Sequence, residues 1–284
     1  PGPKDTVYVG ATQDYAVVVD KARNRSNGDL IALDTQGKEV WRAAGAYSKG
    51  MVRNGFVLTY EDNSDSVQVL SAATGEVLVS ALDKEPDFDP EDRAWPGGFN
   101  IGTGTAAFSR VTSEGATVYN ASGSQVRSVP GTFRNPPTWA SSAPLDAERL
   151  AQAYTAAAKN PSALQAIGPD RVVDVTVDTS TCTASAGGTQ LALPRRGSQE
   201  VCLLRPLGTL GEDLLMQVGQ PDSASDAAGD RVVAYSTATG RPVWEVRGTY
   251  TGVVAAPGQP SQVRLLVTQG GSYGDLVVYT VLRR

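Results

Sequence analysis

Val232-Val233-Ala234-Tyr235-Ser236-Thr237-Ala238-Thr239-Gly240-Arg241-Pro242-Val243-Trp244 is the stretch that decides the fold. It opens on an apolar run, turns through small polar residues to a glycine, and leaves on a second run that ends in an indole. Three other segments have this shape: Asp29-Leu30-Ile31-Ala32-Leu33-Asp34-Thr35-Gln36-Gly37-Lys38-Glu39-Val40-Trp41, Val67 to Val79 around Gly75, and Ala116 to Val126 around Gly123. A tight hairpin needs one residue at positive φ, which costs glycine nothing sterically. Each segment therefore reads as strand, glycine-closed turn, strand.

The turn glycines at 37, 75, 123 and 240 are separated by 38, 48 and 117 residues, and 117 is three times 39. A period near 40 is the length of one four-stranded propeller blade. A further strand-like run precedes each turn segment: Tyr15–Val19, Phe56–Tyr60, Ala106–Phe108 and Leu214–Val218. Two more, Val263–Val267 and Leu276–Leu282, end the chain. Many of these runs are apolar at consecutive positions, as in strands covered on both faces. The connections are mostly too short for the helices that a parallel sheet requires. The fold expected is all-β: one β-propeller domain over 1–284, with six to seven four-stranded blades and residues 1–4 as a linker.

One helix is expected near 146–158. Asp146 to Ala158 is rich in helix formers, carries acid in its first turn, aligns Leu150, Tyr154 and Ala157 on one face, and stops at Asn160-Pro161. It lies where the repeat fades, so 131–170 is read as a degenerate or inserted region.

The turn segments resemble the PQQ-like propeller repeat of bacterial quinoprotein dehydrogenases and of the outer-membrane assembly lipoprotein BamB. The family pattern is roughly Ala-x-Asp-x-x-Thr-Gly-x-x-x-Trp. Ala234, Thr239, Gly240 and Trp244 match it; so do Ala32, Asp34, Gly37 and Trp41, with one turn residue fewer; Thr74 and Gly75 match with Val79 in the Trp place; Gly123 alone marks the weakest copy. The resemblance implies that Trp41 and Trp244 are packing residues between adjacent blades, with Gly37, Gly75, Gly123 and Gly240 closing the hairpins. It carries the fold and not the activity. Quinoprotein dehydrogenases hold PQQ with Ca²⁺ and a catalytic Asp, many with an adjacent Cys pair. Here no such pair exists and no Asp can be assigned as the base, so no cofactor is expected.

Composition narrows the chemistry. The 284 residues contain no histidine, which excludes Ser-His-Asp and Cys-His nucleophilic systems. A net charge of −5 and scattered basic residues give no footprint for nucleic acid. The two cysteines, Cys182 and Cys202, are too few for a structural zinc site and are expected to form a disulfide, as in exported proteins. No apolar run is long enough to span a membrane. Pro1-Gly2-Pro3 reads as a linker, with an export signal or anchor expected to precede it.

Asp83, Glu85, Asp87 and Asp89 form an acidic stretch with oxygen ligands that suit a hard cation. The stretch lacks the glycine and spacing of an EF-hand and reads as a solvated loop. Trp95 and Trp139, in proline-rich loops outside the repeat, are candidates for a binding surface. The function expected is a non-catalytic binding or scaffold module of a bacterial lipoprotein or membrane-protein ectodomain, working outside the cytoplasm on a protein or cell-envelope ligand. The alternative is a PQQ- or metal-dependent enzyme using the propeller mouth.

Overall fold

The computed structural model describes residues 6–12, 14–21, 26–82, 96–101, 107–133, 137–139, 146–168, 171–193, 202–219, 230–255, 262–269 and 275–282. They form an all-β chain of antiparallel meanders with one α-helix. By internal contacts the chain divides into two compact units. One comprises residues 1–102, 106–112 and 116–128; the other comprises 103–105, 113–115 and 129–284.

In the first unit, β1 (Thr6–Ala11), β2 (Ala16–Lys21), β3 (Gly28–Leu33), β4 (Glu39–Arg53), β5 (Phe56–Glu61), β6 (Ser66–Ser71) and β7 (Val77–Leu82) pair in chain order as one seven-stranded sheet. The 15-residue β4 joins two meanders. Its first part pairs with β3, and from Tyr47 onward it pairs with β5. A third meander follows: β8 (Phe99–Asn100), β9 (Ala107–Val111), β10 (Gly115–Asn120) and β11 (Gln125–Pro130).

The second unit holds three more. The fourth meander runs through β12 (Thr138–Trp139), β13 (Leu164–Ile167), β14 (Val172–Asp178), β15 (Thr183–Ala186) and β16 (Thr189–Gln190). The fifth is β17 (Leu203–Leu210), β18 (Asp213–Gly219), β19 (Arg231–Ser236) and β20 (Pro242–Arg247). The sixth has three strands, β21 (Thr249–Ala255), β22 (Gln262–Gln269) and β23 (Asp275–Leu282).

The consecutive apolar runs follow from where side chains go. Successive residues of a strand point to opposite faces, and here both faces of the middle strands are covered. On β19, Val233 and Tyr235 join a core with Val175, Ala184 and Ala186 of the fourth meander, while Val232 and Ala234 join one with Val263, Leu265 and Val267 of the sixth. On the second meander, Val57 and Leu70 pack with Val17, Leu30 and Trp41 of the first, while Leu58, Val67 and Val69 pack with Phe99 and Phe108 of the third. β5 and β18 are buried at every position. Each Val, Leu, Phe or Met side chain so buried contributes about 1.5–3 kcal/mol.

Between Gly123 and Gly240 the structure differs from the spacing argument. Among the described residues one strand group intervenes, not two. Its hairpin is Gly187-Gly188, both at positive φ, closing β15 onto β16 with Ala186 opposite Thr189. That group is lengthened by the helix rather than duplicated. The helix, α1 (Ala147–Lys159), starts at Asp146, whose side chain accepts from the Arg149 N–H at 2.7 Å. It ends at Asn160 and buries Leu150, Tyr154 and Ala157. It connects β12 to β13, which run parallel. It therefore adds a helix and a short edge strand ahead of an ordinary four-stranded meander.

A register fault repeats in the last strands. Ala32 faces Trp41 while Leu33 faces Glu39, Val69 faces Val79 while Leu70 faces Val77, and Ala234 faces Trp244 while Tyr235 faces Pro242. The residues left out, Val40, Leu78 and Val243, are single-residue bulges, which sharpen the local twist.

The glycine turns dock on the neighbouring meander. A Cβ on Gly75 would stand 2.5 Å from Cε3 of Trp41, and one on Gly123 would stand 2.8 Å from the bulged Leu78. On Gly240 it would collide with the carbonyl oxygen of Gln190, beside which Ala192 donates its N–H to the Gly240 carbonyl at 2.7 Å. Gly37 has φ +77° but nothing within 4 Å of such a Cβ. Gly37→Ala is therefore expected to cost about 1–2 kcal/mol, the left-handed strain alone. Gly75→Ala and Gly240→Ala add overpacking and are expected to cost about 3 kcal/mol or more. Denaturant unfolding of the three variants measures the difference.

Candidate functional site

The second and third strands of the first meander open beside β4 into a polar cleft of about 480 Å³, lined by Asp20, Lys21, Asn27, Asp29, Arg42 and Asn63, among others. Antiparallel pairing sets Asp20 directly opposite Asp29. Two carboxylates so placed repel. Arg42 relieves them from the next strand: Nη1 lies 3.1 Å from Asp20 Oδ2 and 2.9 Å from Asp29 Oδ2. Its Nε and Nη2 take the two oxygens of Glu39, a bidentate arrangement. The hydrogen bonds to Glu39 and then Asp29 push the guanidinium pKa further up, and the bond from Arg42 holds the Glu39 carboxyl below its ordinary value.

A second layer fixes the wall. Asp29 Oδ1 accepts the Gly45 N–H at 3.2 Å, and Asp62 accepts from Asn27 Nδ2 at 2.6 Å and from Ser48 Oγ at 2.8 Å. Beneath them Glu61, 8% exposed, accepts backbone N–H groups of Ala46 and Ser64. Burial works against its charge, but the bonds from Ser64 and Ala46 outweigh burial and leave its pKa lowered. This recess presents fixed carboxylate and amide groups to solvent around a guanidinium already engaged. Among the described residues no group of three His, Cys, Asp or Glu is placed to hold a metal.

Trp41 is buried against Gly75 and donates its indole N–H to the Ala72 carbonyl at 2.9 Å. Trp244 is half-buried against the core shared by the fifth and sixth meanders. Asp83, Glu85, Asp87, Asp89 and Trp95 lie outside the described residues. Trp139 is placed by its backbone on β12, opposite Ile167. Trp41 does not line the cleft. The charged residues of the cleft carry no motif, because only the strand register brings Asp20, Asp29 and Arg42 together.

Cys182 and Cys202 form a disulfide with Cα atoms 5.4 Å apart. Cys182 sits in the β14–β15 hairpin, where hydrogen bonds from the Ser180 and Thr181 side chains and backbone pull the Asp178 carboxyl down to about 2. Cys202 immediately precedes β17. The bridge thus staples the fourth meander to the fifth.

No family model matches the chain, and no curated protein matches it. Among solved structures, BamB from Moraxella catarrhalis is similar at 14% identity, over 97% of this chain and 77% of that one, with a TM-score of 0.36. KlAtg21 in complex with the coiled-coil of AgAtg16 is similar at 12%, over 97% and 84%, with a TM-score of 0.40. Kuenenia stuttgartiensis hydrazine synthase is similar at 14%, over 95% and 77%, with a TM-score of 0.37. Likenesses this distant carry no argument, and the fold rests on the strand pairing itself.

Two outcomes follow. Reduction of the disulfide, or Cys182→Ser with Cys202→Ser, is expected to lower stability by about 3 kcal/mol, read by denaturant unfolding with and without reductant. Glu61 has a folded pKa below its ordinary value of about 4.3, so its contribution is complete above that value and is lost as pH falls through the folded one. Glu61→Gln is expected to lower stability at neutral pH and to flatten the acid limb below the ordinary carboxylate range, measured as unfolding free energy against pH.

Proposed function

We propose that the chain is a non-catalytic binding module whose meanders are the blades of a PQQ-like β-propeller. It works outside the cytoplasm as part of a bacterial lipoprotein or a membrane-protein ectodomain, and its ligand is a protein or a cell-envelope component. The observation that carries this is the Arg42-centred cleft. Its groups are mounted on strands, tied by a second layer of hydrogen bonds and left open to solvent, the construction of a preorganised recognition surface. Its guanidinium is outnumbered by three carboxylates, an excess that Lys21 offsets in part, and the amides of Asn27 and Asn63 complete the lining. That chemistry fits cationic and amide groups of a protein or envelope ligand. The disulfide supports an oxidising compartment.

The test pairs the wild type with Asn63→Lys, which places a cation at the exposed rim of the cleft without touching the core. Both are immobilised and exposed to solubilised bacterial envelope. The wild type is expected to retain a component about tenfold more tightly than the variant, and the purified protein to be colourless and free of stoichiometric metal. Equal retention by both, or a stoichiometric quinone spectrum, overturns the proposal.

A further inference from the structure

Four residues recur as a row across the meanders. Gly10 stands opposite Val17, Val17 opposite Ala32 and Ala32 opposite Trp41. Gly208, Leu215, Ala234 and Trp244 form the same row in the fifth meander. In both rows the glycine follows a first-strand bulge, at Val9 or Leu207. In the sixth meander Gly252 follows a bulge at Thr251 and faces Leu266, which faces Val278. There the row stops. Among the described residues β23 pairs with β22 alone.

β23 is thus a third strand by register, and by sequence as well: Asp275-Leu276-Val277-Val278-Tyr279-Thr280 matches Arg231-Val232-Val233-Ala234-Tyr235-Ser236 in alternation and in its tyrosine. Its environment is not that of a third strand. Leu30, Ala32, Val232 and Ala234 are 0% exposed, whereas the equivalent Leu276 and Val278 are 54% and 51% exposed. An edge that no other described strand covers, beside two exposed apolar side chains, offers its backbone N–H and C=O groups as a template for an added strand.

The other rows specify what that strand carries. In the first meander Asp29, three residues before Ala32 near the start of the third strand, pairs at 2.9 Å with Arg42, the residue after the indole. In the fifth the polarity is reversed: Arg231 opens the strand and pairs at 3.1 Å with Glu245, again the residue after the indole. Asp275 occupies this opening position on β23. We propose that the edge of β23 binds an extended segment of a partner polypeptide as an antiparallel fourth strand, with a large apolar residue opposite Val278 followed by an arginine or lysine that pairs with Asp275. This surface is independent of the Arg42 cleft.

The chain's own fourth strands supply the probes. A synthetic peptide of residues 38–45, which contains Trp41-Arg42, is titrated into the whole protein by calorimetry, beside a peptide of residues 241–247, which contains Trp244-Glu245. The first is expected to bind one to one, to lose at least about tenfold in affinity with Trp41→Ala in the peptide, and to slow amide exchange over 276–282. Asp275→Arg in the protein is expected to invert the preference toward the second peptide. Val278→Lys, at an exposed position, abolishes binding of both, and Asn63→Lys in the cleft leaves it unchanged. Absence of saturable binding, or a preference that Asp275→Arg does not move, overturns the proposal. So does protection, in the free protein, of the β23 amides that are not bonded to β22, whether fixed, as for cover by its own chain, or rising with concentration, as for a second copy.

Discussion

The close approach of a glycine turn to the last strand of the preceding meander is the contact on which the rest of each unit depends. A four-stranded meander with two apolar faces is not stable by itself; it must be covered on both sides. At Gly75 the cover is the Trp41 ring, anchored by its N–H on the Ala72 carbonyl; at Gly123 it is the bulged Leu78; at Gly240 it is the Gln190 carbonyl. Three different groups meet the same feature, a turn with no Cβ. The spacing between neighbouring sheets is therefore set by backbone, and the indole is one of several ways to fill it. That explains why Val79 can stand in the place of a tryptophan without loss of the stack.

The bulge and the turn act together. Skipping Val40, Leu78 or Val243 restores to each last strand the face that its hairpin would otherwise present to solvent, because one inserted residue reverses the alternation. The indoles follow the bulge directly, so the inserted residue aims them at the small partners Ala32 and Ala234. First-strand bulges at Val9 and Leu207 work at the opposite edge, with Gly10 lying against Val52 of β4.

What was legible in the sequence is what a single strand or turn encodes by itself: the glycine hairpins, the doubly apolar runs, the capped helix at Asp146 and the cysteine pair. The Gly187-Gly188 hairpin was present as a two-glycine turn between short strands, but the four- and two-residue strands flanking it are too brief to show a period. The helix between Gly123 and Gly240 then lengthened the interval and suggested an extra group. The cleft was not legible. Asp20, Asp29 and Arg42 are unremarkable surface charges along the chain, and only pairing across three strands turns two repelling carboxylates and a guanidinium into one network.

The same charges address a problem that repetition creates. Meanders of similar sequence can exchange strands, because every third strand offers a similar edge to every fourth. Opposite polarity at matched positions discriminates: Asp29 accepts the strand bearing Arg42 and would meet Glu245 with repulsion, while Arg231 does the reverse. Surface ion pairs add little stability individually. A mispairing, however, would remove one attraction and create one repulsion in the same step, which is how such pairs contribute specificity. The third strand that opens on Asp275 carries the same kind of address, and its polarity follows from the two rows whose partners are in place.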